Sequence, residues 1–177
     1  GVVRHWDGES APTLVLDDQV HTVAAGVRAA QVLGDDDALS MARRVADRTV
    51  SELAGDDGAF RDGPASGPGL LDRPLRPLDG NVAMADALLD LAVLTGETRY
   101  REVARDAVAA FAGAWDRFGV QVAGYGSVAS RLVRPDLVVA VDDGAGSDLH
   151  RAALRVADHE AVVVPAASDT PAGVATV

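Results

Sequence analysis

"LDGNVAMADALLDLAVLTG", residues 78–96, is apolar nearly all round when wound as a helix. It has a counterpart 62 positions earlier, "LDDQVHTVAAGVRAAQVLG", residues 16–34. Without a gap, Leu16, Asp17 and Val20 fall on Leu78, Asp79 and Val82; Ala25 and Ala30 fall on Ala87 and Ala92; Gly34 falls on Gly96. The register runs on to Ala42-Arg43 and Ala104-Arg105. A constant, ungapped offset is the mark of a stacked supersecondary unit.

Each unit reads as a helical hairpin, over about 16–54 and 78–116. In the second copy Asp79 is the expected N-cap and Gly96 the left-handed residue that closes the helix. A helix with so little polar face is buried on most sides. The next helix is one-sided: Tyr100, Val103, Ala104, Ala107, Val108, Phe111 and Trp115 recur at three- and four-residue spacing, opposite Arg99, Arg101, Glu102, Arg105 and Asp106. The first copy repeats the scheme, with a buried helix of about Asp18–Leu33 and a half-exposed one of about Asp37–Leu53. A buried inner helix paired with an amphipathic outer one, repeated, is the pattern of an α/α toroid, in which inner helices line a central hollow.

The connector "GDDGAFRDGPASGPGLLDRPLRPLDG" is long for a structureless link in a compact domain, so it is expected to be functional or partly ordered. A third inner-type helix is expected over about 122–134, ending before Pro135. The period then changes. Leu137–Val141 is short, β-branched and bounded by turns, and reads as a buried strand. "SDLHRAALRVA" is a short helix capped by Ser147, and "EAVVVP" a second strand, which makes residues 136–165 a β-α-β element. Residues 166–177 lack periodicity and are expected to fray. The expected fold is mainly α, a partial toroid of hairpins over 1–135 with this small element after it.

Charge narrows the partners. The net charge is −11, and all 16 basic residues are Arg. Acidic residues come in runs, such as Asp35-Asp36-Asp37 and Asp142-Asp143. Such a surface repels nucleic acid and anionic membranes. No apolar run approaches the roughly 20 residues that span a bilayer, and "GVVRHWDGES" has no signal-peptide pattern. With no cysteine there is no disulfide, zinc–thiolate site or thiol nucleophile; the composition fits a cytoplasmic protein. Arg-only basicity and Asp runs fit adaptation to a salt-loaded cytosol, or alternatively a GC-rich genome that replaces Lys by Arg.

Several stretches resemble a known family: "LDDQV", "LGDDDAL", "DGAFRD", "AGYGSVASRL", the closing "VVAV…LHRAAL…AVVV", and above all "GLLDRPLRPLDGNVAMADALLDLAVLTGETRYREVARDAVAAFAG" at residues 69–113. Together they resemble the C-terminal part of the thioredoxin-domain-containing, spermatogenesis-associated protein 20-like family. The resemblance spans essentially the whole chain. It implies an (α/α)6 toroid similar to the N-acylglucosamine 2-epimerase and six-hairpin glycosidase superfamily, with a carbohydrate-type small molecule as the partner of the full-length protein. The cysteine-bearing redox domain of that family has no counterpart here, and two hairpins plus a partial third fall short of six. The chain is therefore expected to be a portion of a longer protein. It would either self-associate as a homo-oligomer or pair with the remaining toroid and thioredoxin portions. A non-enzymatic helical scaffold is the competing class.

The candidate chemistry gathers at helix starts. Asp17 and His21 lie one turn apart, so the carboxylate is placed to orient the imidazole for proton transfer; alternatively Asp17 or Asp18 is a cap and His21 packs on a neighbour. Asp18 and Gln19 adjoin that pair as substrate-binding candidates, and Asp79 and Asn81 occupy the equivalent mouth of the second inner helix. Phe60 in "DGAFRD" is a candidate sugar-stacking ring, or a plug for the hairpin end. Trp6 in "HWD" reads as a packing anchor, and Asp72, Arg73 and Arg76 as residues that overhang the rim. His150 and His159 match no metal-ligand spacing, and no metal or cofactor is expected. "DDGAGSD" lacks the phosphate-loop pattern and its Asp residues repel anions. No Ser-His-Asp set or HExxH motif is present.

The two explanations of the charge pattern differ in one measurement. Molar salt shrinks the Debye length to about 3 Å and quenches self-repulsion, so the salt-adaptation reading expects a higher thermal midpoint at 2 M than at 0.05 M KCl. Equal midpoints would favour genome composition.

Overall fold

The computed structural model describes residues 3–8, 14–65, 72–114, 117, 119 and 122–166. The two repeats carry helices of equal length in the same frame, Leu16–Leu33 (α1) and Leu78–Thr95 (α3), each of 18 residues. Each ends on a left-handed glycine, Gly34 at φ 65° and Gly96 at φ 69°, as expected for residues without a Cβ. Their starts differ from expectation. The N-cap positions are Val15 and Pro77, neither with a side-chain cap. Asp79 is therefore not a cap but the second residue of α3. Asp17, Asp18 and Asp79 place charge in first turns, where the positive end of the helix dipole stabilises it.

The partner helices are Asp36–Leu53 (α2) and Thr98–Ala109 (α4). Asp35 caps α2 by accepting from Ala38 N at 2.9 Å. The fourth helix is shorter than the second, 12 residues against 18, because after Ala110 the chain tightens into i→i+3 turns such as Ala114 N to Phe111 O. The expected inner-face contact of Trp115 lies outside the described residues.

Within the first hairpin α1 and α2 approach so closely at Gly26 that a Cβ there would lie 2.8 Å from Ala38 O and 2.9 Å from the Ala42 Cβ. The inner helices run parallel. Near their starts a Cβ on Gly80 would meet Leu16 Cδ2 at 3.0 Å; near their ends Gln31 Nε2 donates to Asp90 Oδ2 at 3.4 Å. Between these points Val20, Val23, Val27, Met84, Leu88 and Leu91 form the core.

The connector is ordered where described. Ala54 and Phe60 form an antiparallel bridge, Leu16 N donates to Asp62 O and Asp62 N to Leu75 O, both at 2.8 Å. Phe60 is fully buried. Asn81, one turn into α3, fastens it: Asn81 Oδ1 accepts from Phe60 N at 2.6 Å, and Nδ2 donates to Phe60 O at 2.9 Å.

A fifth helix, Val122–Val133 (α5), packs on α3 and α4. Val138–Val141 (β1), Asp148–Val156 (α6) and Val162–Pro165 (β2) follow, with Ser147 capping α6 as expected. The strands are parallel, Val138 opposite Val162. One sheet face, Val138, Val162 and Val164, packs on Val93 of α3; the other, Val141 and Val163, packs on Ala153 of α6. Cover on both faces is why β2 is apolar throughout. The chain is thus mainly helical with a small parallel sheet. Among the described residues no helix is long and apolar enough to cross a membrane. Of the expected frayed tail, Ala166 is held by Asp143 O at 3.1 Å, and residues 167–177 lie outside the described residues.

The outer helices meet through Tyr100, whose hydroxyl donates to Asp47 Oδ1 at 2.8 Å and accepts from Arg99 at 2.7 Å. Burial, and then Asp47, push its phenol up to about 12. A free phenol ionises near 10, so the unfolded chain gives up this proton first. Stability therefore falls as pH climbs from about 10 towards about 12. Tyr100→Phe should cost about 1 kcal/mol at neutral pH and remove that part of the alkaline fall in urea titrations. An unchanged alkaline slope would contradict the assignment.

Candidate functional site

The parallel packing of α1 and α3 leaves a groove on one side of their seam. It holds two adjoining cavities of about 300 Å³ each, which share Ala83, Asp86 and His159. One is floored by Val82, Ala83 and Val128, with Asp79, Ser127 and Glu160 around it. The other runs between His21, Arg28 and Gln31 of α1 and Asp86 and Asp90 of α3. The turn before β2 closes the groove, because Glu160 is tied to α5 by Ser127 Oγ at 3.1 Å and is met by Arg134 at 2.7 Å. A larger hollow of about 470 Å³ lies between the end of α2 and α4. Its charged lining among the described residues is Asp56, Asp57 and Asp106, with no imidazole or cation beside them.

Charge in the groove is held from behind. Arg131 of α5 is 9% exposed, and its guanidinium spans Asp86 Oδ1 at 2.5 Å and Asp90 Oδ1 at 2.6 Å. Burial works against that cation, but Asp90 and Asp86 outweigh it and its pKa is raised. Asp90 is the strained partner: burial lifts its pKa, against the pull of Arg131. Gln31 completes the cluster. Its Nε2 reaches Asp90, its Oε1 accepts from Val163 N at 3.0 Å, and its carbonyl accepts from His150 Nε2 at 2.8 Å. The other imidazole nitrogen of His150 accepts from Gly146 N at 2.9 Å, which fixes the neutral Nε2–H tautomer.

The residues read from sequence scatter. Asp17 and His21 do pair, at 3.8 Å, but each side chain is 77% exposed; of the two only His21 lines the groove. Asp18 is turned away and accepts from His5 Nδ1 at 3.0 Å on both oxygens. Gln19 is buried, its Nε2 on Val3 O and Val15 O at 3.3 and 3.4 Å, with Oε1 unpartnered among the described residues. Phe60 and Asn81 belong to the core, so the ring offers no stacking face and the amide no groove contact. Asp79 lines the groove. Trp6 is half exposed, edge-on to His5 at 5.6 Å. Of the connector's proposed overhang, Arg76 instead meets Asp57 at 3.3 Å.

Asp86, Asp90, Arg131 and Gln31 were not singled out by sequence reasoning, and His159 was named only as matching no metal-ligand spacing. The signal was present for the first two: carboxylates inside "MADALLDLAVL" on a helix that is otherwise apolar must find partners. With Asp79 they fall at i, i+7 and i+11, one stripe along α3. Nothing in the pattern of α5 marks Arg131 as that partner.

The fold thus defines a helical-hairpin protein with a groove, lined by apolar and charged side chains, between two parallel, equivalent helices. No protein-family model matches the chain, and no curated protein matches it.

Removing Arg131 leaves two carboxylates facing each other without a cation. Arg131→Ala should lose about 1–3 kcal/mol in urea unfolding, since Asp86 is half exposed and screened by water. Adding Asp90→Asn in that background should recover at least about 1 kcal/mol. Strictly additive losses would contradict the coupling.

Proposed function

We propose that the chain is part of an α/α toroid of the kind its sequence resembles, the C-terminal portion of a thioredoxin-domain-containing, spermatogenesis-associated protein 20-like protein. On this reading α1 and α3 are neighbouring inner helices, and their groove is this portion's share of a carbohydrate-type site. The equal frame and parallel packing of the two helices support it.

The reaction class we infer is proton transfer at a sugar carbon, as in an epimerase or isomerase. One observation carries it: two imidazoles, His21 from α1 and His159 from the turn before β2, line one cavity with the Asp86 carboxylate. Each imidazole has a carboxylate beside it, Asp17 at 3.8 Å and Asp158 at 3.1 Å. A neutral imidazole is a competent base near pH 7 and its conjugate acid can return a proton. Asp86, held by Arg131 through one oxygen, keeps the other for a substrate hydroxyl. The remaining hairpins of the full-length ring would close the site, so this portion is expected to bind weakly alone.

A helical scaffold is the second reading. Leu33, Val133 and Val156 are each more than two-thirds exposed, and apolar residues at helix ends favour association with a second copy or with the rest of a ring.

Titration of the ¹⁵N-labelled protein with glucose and mannose separates the two. The enzyme reading expects amide shifts at His21, Ala83, Asp86 and His159, with dissociation constants of about 1–10 mM, lost in a His21→Ala/His159→Ala variant. Shifts confined to the Leu33 and Val133 helix ends on dilution, with none in the groove, would favour the scaffold.

A further inference from the structure

We propose that the groove selects sugars that carry a protonated amine over neutral ones, and excludes phosphorylated or carboxylated ones. This deepens the reading above and rests on it. The argument starts from which charges along the groove are already committed. Glu160 has both oxygens engaged, by Ser127 and Arg134. Asp90 has one oxygen on Arg131 and the other on Gln31. Asp86 has one oxygen on Arg131, and no side chain among the described residues engages the second. Asp79 has no ion pair or side-chain hydrogen bond among the described residues.

These two available carboxylates lie seven residues apart on α3, about 10 Å along its axis. They flank one cavity, whose floor between them is Val82, Ala83 and Val128. A pyranose ring lying on that floor would present its substituents to both. An ammonium gains charge-assisted hydrogen bonds from either carboxylate, a hydroxyl gains a neutral one, and a phosphate is repelled. The buried guanidinium of Arg131 stands behind Asp86, held there by Asp86 and Asp90 without itself lining either cavity, so it occupies one Asp86 oxygen from the rear. Arg28 is the available cation in the lining, and it belongs to the other cavity, across from Asp90.

The probes are glucosamine, glucose and glucose 6-phosphate, titrated into the ¹⁵N-labelled chain at low salt and pH 7, with circular dichroism as the check on folding. Glucosamine should bind at least about five-fold tighter than glucose, and glucose 6-phosphate should leave the groove amides unshifted. Asp79→Asn and Asp86→Asn should each bring the glucosamine advantage to within about two-fold. Asp37→Asn, on the exposed start of α2, should leave it intact, which separates a groove effect from attraction to an acidic surface. Equal binding of glucose and glucosamine, or an equal loss in Asp37→Asn, would overturn the charge preference while the groove remains a sugar site. Folded protein that binds none of the three would remove the groove reading and this inference together.

Discussion

Gln31 sits where three parts of the chain meet, and exchanging its side chain for an apolar one would orphan the Val163 amide and take a hydrogen bond from Asp90. From the last turns of α1 its side chain donates to Asp90 on α3 and accepts the amide of Val163 from β2, while its backbone carbonyl accepts from His150 of α6. The Val163 amide is the critical one. In this parallel ladder Val162 N turns inward to Leu137 O, so Val163 N points out from the open edge of β2, where an unpaired buried N–H costs about 1–3 kcal/mol. Gln31 closes that edge. A small parallel sheet, marginal by itself, becomes part of the helical core.

The same constraint explains why charged side chains line the groove. Three alternate helices, α1, α3 and α5, are joined by Gln31, Asp90 and Arg131 rather than by apolar residues alone. Burying Asp90 is costly, as its raised pKa records, and Arg131 makes it tolerable by serving Asp86 as well. What holds the repeats in register also sets the Asp86 carboxylate in the lining of the hollow between them. Structure and candidate chemistry use the same side chains here, which is why the experiments above pair binding with a folding check.

The repeat and the strands were legible because they are written in local pattern. An ungapped offset needs no tertiary knowledge, and Gly34 and Gly96 mark their own conformations. The VVAV and AVVV runs are β-branched, short and bounded by turns. Helix starts were misread because Asp is a good cap in general. Here Pro77 and Val15 take the extended position first, and Asp79 and Asp17 fall inside the first turn. Asn81 and Phe60 show the harder limit. Asn81 was read as a substrate-binding residue and Phe60 as a sugar-stacking ring or a plug for the hairpin end; Phe60 is buried, and Asn81 recognises its backbone from 21 positions away, a contact that no periodicity announces. Asp86 and Asp90 could have been found by asking what a carboxylate does on an apolar helix. Arg131 could not, since its partners lie more than 40 residues off.

Native-state hydrogen exchange tests the central claim most directly. If Gln31 binds the sheet to the paired inner helices, the Val163 amide should exchange by the same global opening as the core amides of α1 and α3, with the same denaturant dependence, and that protection should vanish in Gln31→Ala while α1 and α3 stay protected. A Val163 amide that exchanges at the rate of an exposed loop in the unaltered chain, or hairpins that open independently of one another, would contradict the account.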